Sequence, residues 1–200
     1  RFESRKEALN ESRGSYALRI LLEAGLEGIH GYVAQLGEVS EKNRYALEIA
    51  AGNRLGQIVV DNDHIAARAI EILKKKKAGR LTFLPLNRIK SQKKNYAISR
   101  FENNKEQGFI DKAINLITFD EVYSDVFRYV FGDTLVFSDL ASARLSKQKI
   151  RLVTLSGELL EASGAITGGS KLNKDLAYRF RINNELDDSN PLKERLIVIQ

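Results

Sequence analysis

Apolar positions along the chain recur in two matching series. In the first, GIHGYVAQL (Gly28 to Leu36) precedes RYALEIAAG (Arg44 to Gly52), IVVDNDHIAAR (Ile58 to Arg68) and RLTFL (Arg80 to Leu84). The second keeps the order: GFIDKAINL (Gly108 to Leu116), VYSDVFRYVFG (Val122 to Gly132), LVFSDLASAR (Leu135 to Arg144) and RLVTL (Arg151 to Leu155). Each half reads as extended segment, helix, strand, helix, strand. β-Branched runs such as Ile58, Val59 and Val60 suit strands, and Asp63 or Asp139 stands near the start of the second helix to cap it. Short apolar runs match by chance, but the shared order of four blocks argues against chance. The pattern predicts an α+β chain of two pseudo-repeated lobes, residues 25–86 and 108–170, each packing helix on sheet.

The flanks follow a different pattern. Residues 1–24 contain no Pro and read helical except at Gly14, with Phe2, Leu9 and Tyr16 spaced by seven as in a weak heptad. Within the exit segment 171–200, Asp188, Ser189 and Asn190 precede Pro191, a helix-start signature, and Leu192, Leu196 and Ile199 line one face. Both ends thus read as helical stubs cut in mid-course. Residues 87–107, polar and rich in Lys and Asn, read as a linker or exposed excursion between the lobes.

Composition narrows the function classes. With 43% hydrophobic residues in 200, the chain can build a real core. It has no run of about 18 apolar residues and no signal-peptide pattern, so the expected compartment is the cytoplasm, with no membrane partner. Zero Cys excludes disulfides and thiol catalysis, and only His30 and His64 offer imidazole, so no metal site is expected. The chain starts at Arg1 and contains no Met, which reads as an excised segment of a longer polypeptide.

The segment GAITGGSK (Gly164 to Lys171) lies within one transposition of a nucleotide loop. A P-loop needs G-x-x-x-x-G-K-[ST], with Lys reaching the phosphates and the hydroxyl on Mg²⁺. Gly164 and Gly169 have the right separation, but Ser170 precedes Lys171, so both side chains leave the loop at the wrong place. Three glycines and two small residues in seven positions exceed what one turn requires. A surface approached by a second chain's backbone, beside an unpaired strand edge, explains the excess better.

Acid pairs such as Asp120/Glu121, Glu158/Glu161 and Asp187/Asp188 carry no catalytic signal by spacing alone, and no enzyme site is expected. His30 reads as a strand or turn residue and His64 as a first-turn helix residue. Basic residues gather in three sets: Lys74, Lys75, Lys76 and Lys77 with Arg80; Arg88, Lys90, Lys93 and Lys94 around Tyr96; and Lys171, Lys174, Arg179 and Arg181. With a net charge of +6, they admit weak, non-specific phosphate contact. Lys74–Lys77 also suits a helix C-terminus closed by Gly79.

Together GIHGYVAQL, AAGNRLGQIVV, GRLTFLPL, GFIDKAINLI, FGDTLVF and GELLEASGAITGGS resemble the hinge domain of the structural maintenance of chromosomes (SMC) family, of bacterial type, over about Gly28 to Ser170. One departure is Ser163, where the family usually has a paired glycine. The resemblance implies a dimerisation module of a chromosome condensation and segregation ATPase, joining two coiled-coil arms into a ring-shaped homodimer associated with the nucleoid. It implies interface glycines at Gly164, Gly168 and Gly169, facing the Gly52 to Gly56 region of the partner. It also implies weak DNA binding, with Lys74–Lys77, Arg80 and Lys171 as candidates. No cofactor is expected in this segment; ATP, Mg²⁺ and kleisin-type subunits belong to the parent protein. The alternative is a stand-alone nucleic-acid-binding module.

Overall fold

The computed structural model describes residues 16–90, 106–146, 150–169 and 179–182. The expected helix at 191–200, the positions Phe2 and Leu9 of the heptad, and residues 91–105, 147–149 and 170–178 lie outside them. What remains is an α+β fold in which the repeat recurs element by element.

The described part of helix α1 covers 16–23. The first half then runs β1 (Ile29–Tyr32), a 3-10 turn, β2 (Gly37–Val39), α2 (Glu41–Ala51), a 3-10 turn Gly52–Gly56, β3 (Ile58–Val60), α3 (Asp63–Lys76) and β4 (Phe83–Pro85). The second half runs β5 (Phe109–Lys112), a 3-10 turn, β6 (Ile117–Phe119), a 3-10 turn Glu121–Tyr123, α4 (Ser124–Phe131), β7 (Leu135–Phe137), α5 (Leu140–Leu145) and β8 (Leu152–Thr154). A hairpin of β9 (Leu159–Leu160) and β10 (Ile166–Thr167) follows, and β11 (Arg181–Ile182) closes the described chain. The extended segment that begins each half is therefore two short strands around a 3-10 turn.

Equivalent hydrogen bonds hold the two halves in the same shape. β1 pairs antiparallel with β3 and β3 parallel with β4, just as β5 pairs with β7 and β7 with β8. The Gly28 carbonyl accepts from Asp61 N–H at 3.0 Å, and the Gly108 carbonyl accepts from Ser138 N–H at 2.7 Å. Both α2 and α4 stop at a glycine with φ of +53°, Gly52 and Gly132, a conformation that a Cβ disfavours. Asp139 caps α5 by accepting from Ser142 N–H at 2.8 Å. At α3, however, the cap is Asn62, whose side chain accepts from Ile65 N–H, and Asp63 is the first helical residue. Asn62 has the extended backbone a cap needs, with φ −153° and ψ 169°, and this selects it over its neighbour.

The halves meet through their equivalent strands. β2 and β6 pair antiparallel, Gly37 opposite Phe119 and Val39 opposite Ile117, giving an internal pseudo-twofold relation. A Cβ on Gly37 would lie 2.8 Å from Phe127 Cζ, so this crossing requires glycine. The largest core belongs to both halves: Val39, Leu47, Ala50 and Val59 pack with Ile117, Phe127, Val130, Phe131 and Val136, all buried. The lobes thus share a centre rather than each owning a separate sandwich. Helix α1 packs on α3 in a second cluster, Ala17, Ile20 and Leu21 against Ala69 and Leu73.

Candidate interface site

Three sheets result, ordered β1-β3-β4, β10-β9-β8-β7-β5 and β11-β2-β6. Among the described residues the second half carries a hairpin with no counterpart in the first, and β10 is the outermost strand of its sheet. In the hairpin, Glu161 N–H donates to Ala165 O and Gly164 N–H to Glu161 O, each at 2.8 Å. Gly164 has φ of +94°, so its role is the turn itself. Ile166 on β10 is 55% exposed, a large apolar side chain on an open strand edge.

Gly168 and Gly169 continue that edge, exposed. A Cβ on Gly168 would lie 3.1 Å from Glu158 Cγ, the nearest contact, on a flexible side chain. On Gly169 a Cβ would meet nothing within 4 Å, and its φ is not in the left-handed region. Among the described residues nothing requires glycine at position 169. Ser170 and Lys171 lie outside the described residues.

The equivalent of β8 in the first half is β4, and no described strand covers its outer edge. Thr82, exposed just before β4, gives its carbonyl to Ile58 N–H at 2.9 Å. The Gly52–Gly56 turn leads into the same end of β3. Gly52 also lines a cleft of about 570 Å³ within the chain, with Gly132, Asp133, Arg151, Glu161 and Ala162. Its positive φ already accounts for glycine; Gly56 is half-buried.

Basic candidates divide on inspection. Lys74, Lys75 and Lys76 form the exposed last turn of α3, where cations oppose the negative helix end. The helix is closed by Lys77 in the left-handed region, φ 53°, and not by Gly79, because Ala78 N–H returns to Leu73 O at 3.0 Å. Arg80 is exposed beside them. Arg88 is engaged: its guanidinium donates to Asp63 at 2.7 and 2.9 Å. Together with Asn87 this holds the Asp63 carboxyl at a pKa of about 2, from an ordinary 3.8. Lys90 is exposed, Arg181 lies on β11, and Lys93, Lys94, Tyr96 and Lys174 lie outside the described residues.

The acid pairs are occupied locally. Asp120 caps the 3-10 turn through Val122 N–H, Glu158 binds Thr154, and Glu161 pairs with Arg151 at 3.1 Å. Asp187 and Asp188 lie outside the described residues. His64 sits in the first turn of α3 as expected. His30, on β1, bridges the halves: Nε2 lies 2.7 Å from Asp61 and Nδ1 2.9 Å from the Tyr123 hydroxyl. Burial and the nearby Asp120 and Asp61 push the Tyr123 phenol up, which disfavours a reactive phenolate. Among the described residues no group of His, Asp and Glu could hold a metal ion, and no helix is long and apolar enough to cross a membrane.

Glu48 was not anticipated. It is 2% exposed in α2, and its carboxylate accepts from Phe180 N–H at 3.1 Å. Burial pushes its pKa up, against that bond and the nearby Arg44 and Arg179. Phe180 packs on Phe131 with ring centres 6.2 Å apart, and β11 runs parallel to β2.

The described residues thus form a module with a shared core, an internal pseudo-twofold repeat and outermost strands β10 and β4 at corresponding sides of the two halves. The chain belongs to the SMC hinge family: the description "SMC proteins Flexible Hinge Domain" matches residues 26–145. It is 51% identical over 198 residues to a chromosome partition protein Smc of Synechococcus sp., covering 98% of this chain and 16% of that protein's length. Among solved structures it resembles the Pyrococcus furiosus SMC protein hinge domain, 35% identical with a TM-score of 0.66, over 84% of this chain and 89% of the other. It also resembles an asymmetric dimer of the Geobacillus stearothermophilus SMC hinge domain, 28% identical with a TM-score of 0.69, over 88% and 77%.

Proposed function

We propose that this hinge domain is a self-association module in which β10 of one copy adds to the open edge of β4 in another. The observation that carries the reading is Gly169, a glycine on an open edge for which the described residues show no internal use. The internal repeat supports the partner edge: β4 occupies the place of β8, and β8 is where the second half already accepts a further strand. Adding β10 to β4 makes one continuous sheet across two copies, and a twofold axis repeats the contact to close a ring. Gly52–Gly56, at the end of β3 beside β4, then lies near the incoming Gly168 and Gly169. The Geobacillus stearothermophilus hinge, an asymmetric dimer, supports self-association but not the twofold closure.

The chain spans 12–16% of the length of the relatives it matches, so the wider role follows from kinship. In that role the dimer joins two coiled-coil arms of a chromosome-organising ATPase at the nucleoid, and the heads, with ATP, Mg²⁺ and kleisin-type subunits, lie elsewhere in the parent. Lys74–Lys77, Arg80 and Lys171 supply weak, salt-sensitive DNA contact.

Sedimentation equilibrium tests the association. The wild-type chain should be dimeric at tens of micromolar, an order-of-magnitude range for ordinary stable interfaces. Changing Gly168→Val and Gly169→Val together should leave a folded monomer. A folded variant that still dimerises removes the glycines from the interface. Changing Lys74–Lys77 to Glu should lower the salt slope of DNA binding; an unchanged slope excludes that cluster. DNA binding that persists in a wild-type monomer would favour a stand-alone nucleic-acid module.

A further inference from the structure

The ends of α2 and α4 face each other across the cleft, and each is held by an arginine from the opposite half. Arg54 donates Nη1 to Val130 O at 2.6 Å and Tyr129 O at 3.2 Å at the end of α4, and stacks 5.1 Å over the Tyr129 ring. Arg151 donates Nη1 to Ala50 O at 2.8 Å at the end of α2. Guanidinium groups suit these ends, where unpaired carbonyls concentrate negative charge. The two arginines do not occupy equivalent repeat positions. Arg54 follows Gly52, whereas Arg151 precedes β8 and corresponds to Thr82, since each gives its carbonyl to the first residue of the central strand.

Arg151 does something that Arg54 does not. Its Nε also donates to Glu161 Oε1 at 3.1 Å, and Glu161 is the residue that leaves β9 for the turn to β10. Glu161 N–H is bonded to Ala165 O, one residue before β10. One planar guanidinium thus ties the root of the β10 hairpin to helix α2 of the other half. Beyond this pair, β10 is anchored by two residue pairs with β9, Ile166 with Leu160 and Thr167 with Leu159. A two-residue edge strand with exposed side chains has little else to fix its direction.

We infer that Arg151, acting through Glu161, is a positioning residue for self-association: it sets the direction in which β10 leaves the body and so matches that edge to β4 of a second copy. The inference rests on reading β10 as the seam. In a ring closed by two symmetric contacts, one misdirected edge strains both, so a local tilt is felt twice. The fork of Arg151 is what the task needs. Lysine carries the charge, but its three N–H groups leave a single nitrogen, so it cannot set separate nitrogens against Ala50 O and Glu161 as Nε and Nη1 of the guanidinium do.

The test compares wild type, Arg151→Lys and Glu161→Gln for dimer dissociation constant, denaturant unfolding and amide exchange. Arg151→Lys should raise the dissociation constant by about tenfold or more, through loss of preorganisation. Exchange should quicken at the Glu161 and Gly164 amides while Val59 and Val136, in the shared core, stay protected. Glu161→Gln keeps an acceptor oxygen for Arg151 and so should fold as wild type; it should weaken association less and reduce its salt dependence. The double variant should associate no more weakly than Arg151→Lys alone. An Arg151→Lys dissociation constant within about twofold of wild type, with Gly168→Val/Gly169→Val monomeric, overturns this inference and leaves the seam intact. Loss of protection throughout the core would make the role merely structural and overturn it too. A monomeric wild type overturns both readings.

Discussion

Lys77 is the sole non-glycine with positive φ among the described residues, and it closes α3 where glycine is the usual occupant. Holding an L side chain in that region costs roughly 1 kcal/mol, so Lys77→Gly should stabilise the chain by about 0.5–1 kcal/mol in urea unfolding. Equal or lower stability would contradict the strain argument. Asp63 gives a second residue-scale expectation. Its folded pKa of about 2 lies below the ordinary 3.8, so its contribution is complete above the ordinary value and is lost as pH falls through about 2. Asp63→Asn should flatten that part of the acid limb in thermal melts between about pH 4 and pH 2. An acid limb identical to wild type would show that the Asn87 and Arg88 contacts do not survive in solution. Both positions also mark the grain of sequence reading. Two adjacent Asx residues, Asn62 and Asp63, are equally good caps by composition, and only the backbone of residue 62 decides between them.

At the scale of elements, the exit strand β11 is as slight as β10 by local criteria, with two residues, both exposed. Its attachment is supplied from elsewhere, by β2, by the Phe131 ring and by the buried Glu48. Because burial raises the Glu48 pKa, its ionised form opposes folding. That group's stabilisation is full below the ordinary 4.5 and declines as pH rises through the folded value. Glu48→Gln should therefore match or exceed wild type at neutral pH, its amide oxygen still accepting from Phe180. Glu48→Ala should cost about 2–4 kcal/mol in urea unfolding, leaving a cavity and an unpaired N–H. If Gln destabilises as much as Ala, the charge facing Arg44 and Arg179 is the essential feature instead. The order of strands and helices was legible because apolar blocks repeat locally. β11 was not, since its partners lie on α2 and β2 far back in the chain, and Arg151 meets Ala50 across 101 positions.

At the scale of the whole molecule, the duplication does two jobs with one strand plan. β2 and β6 join the halves inside a chain, and among the described residues the hairpin has a counterpart in only one half, leaving β10 and β4 as the open edges that the proposed contact joins. The sequence carried the glycine excess and the family resemblance, which together point to the proposed seam. It carried no information on the shared core, because the contacts between α2 and α4 are set by the β2–β6 pairing rather than by either half. In the proposed dimer β10 of one copy meets β4 of another. Because the chain has no Cys, this is measurable by mixing a Thr167→Cys chain with a Thr82→Cys chain and adding a short bifunctional thiol reagent. The expected result is a covalent dimer in the mixture and neither variant cross-linking alone. Cross-linking of Thr167→Cys with itself, and none in the mixture beyond that, would place β10 against β10 and contradict the account.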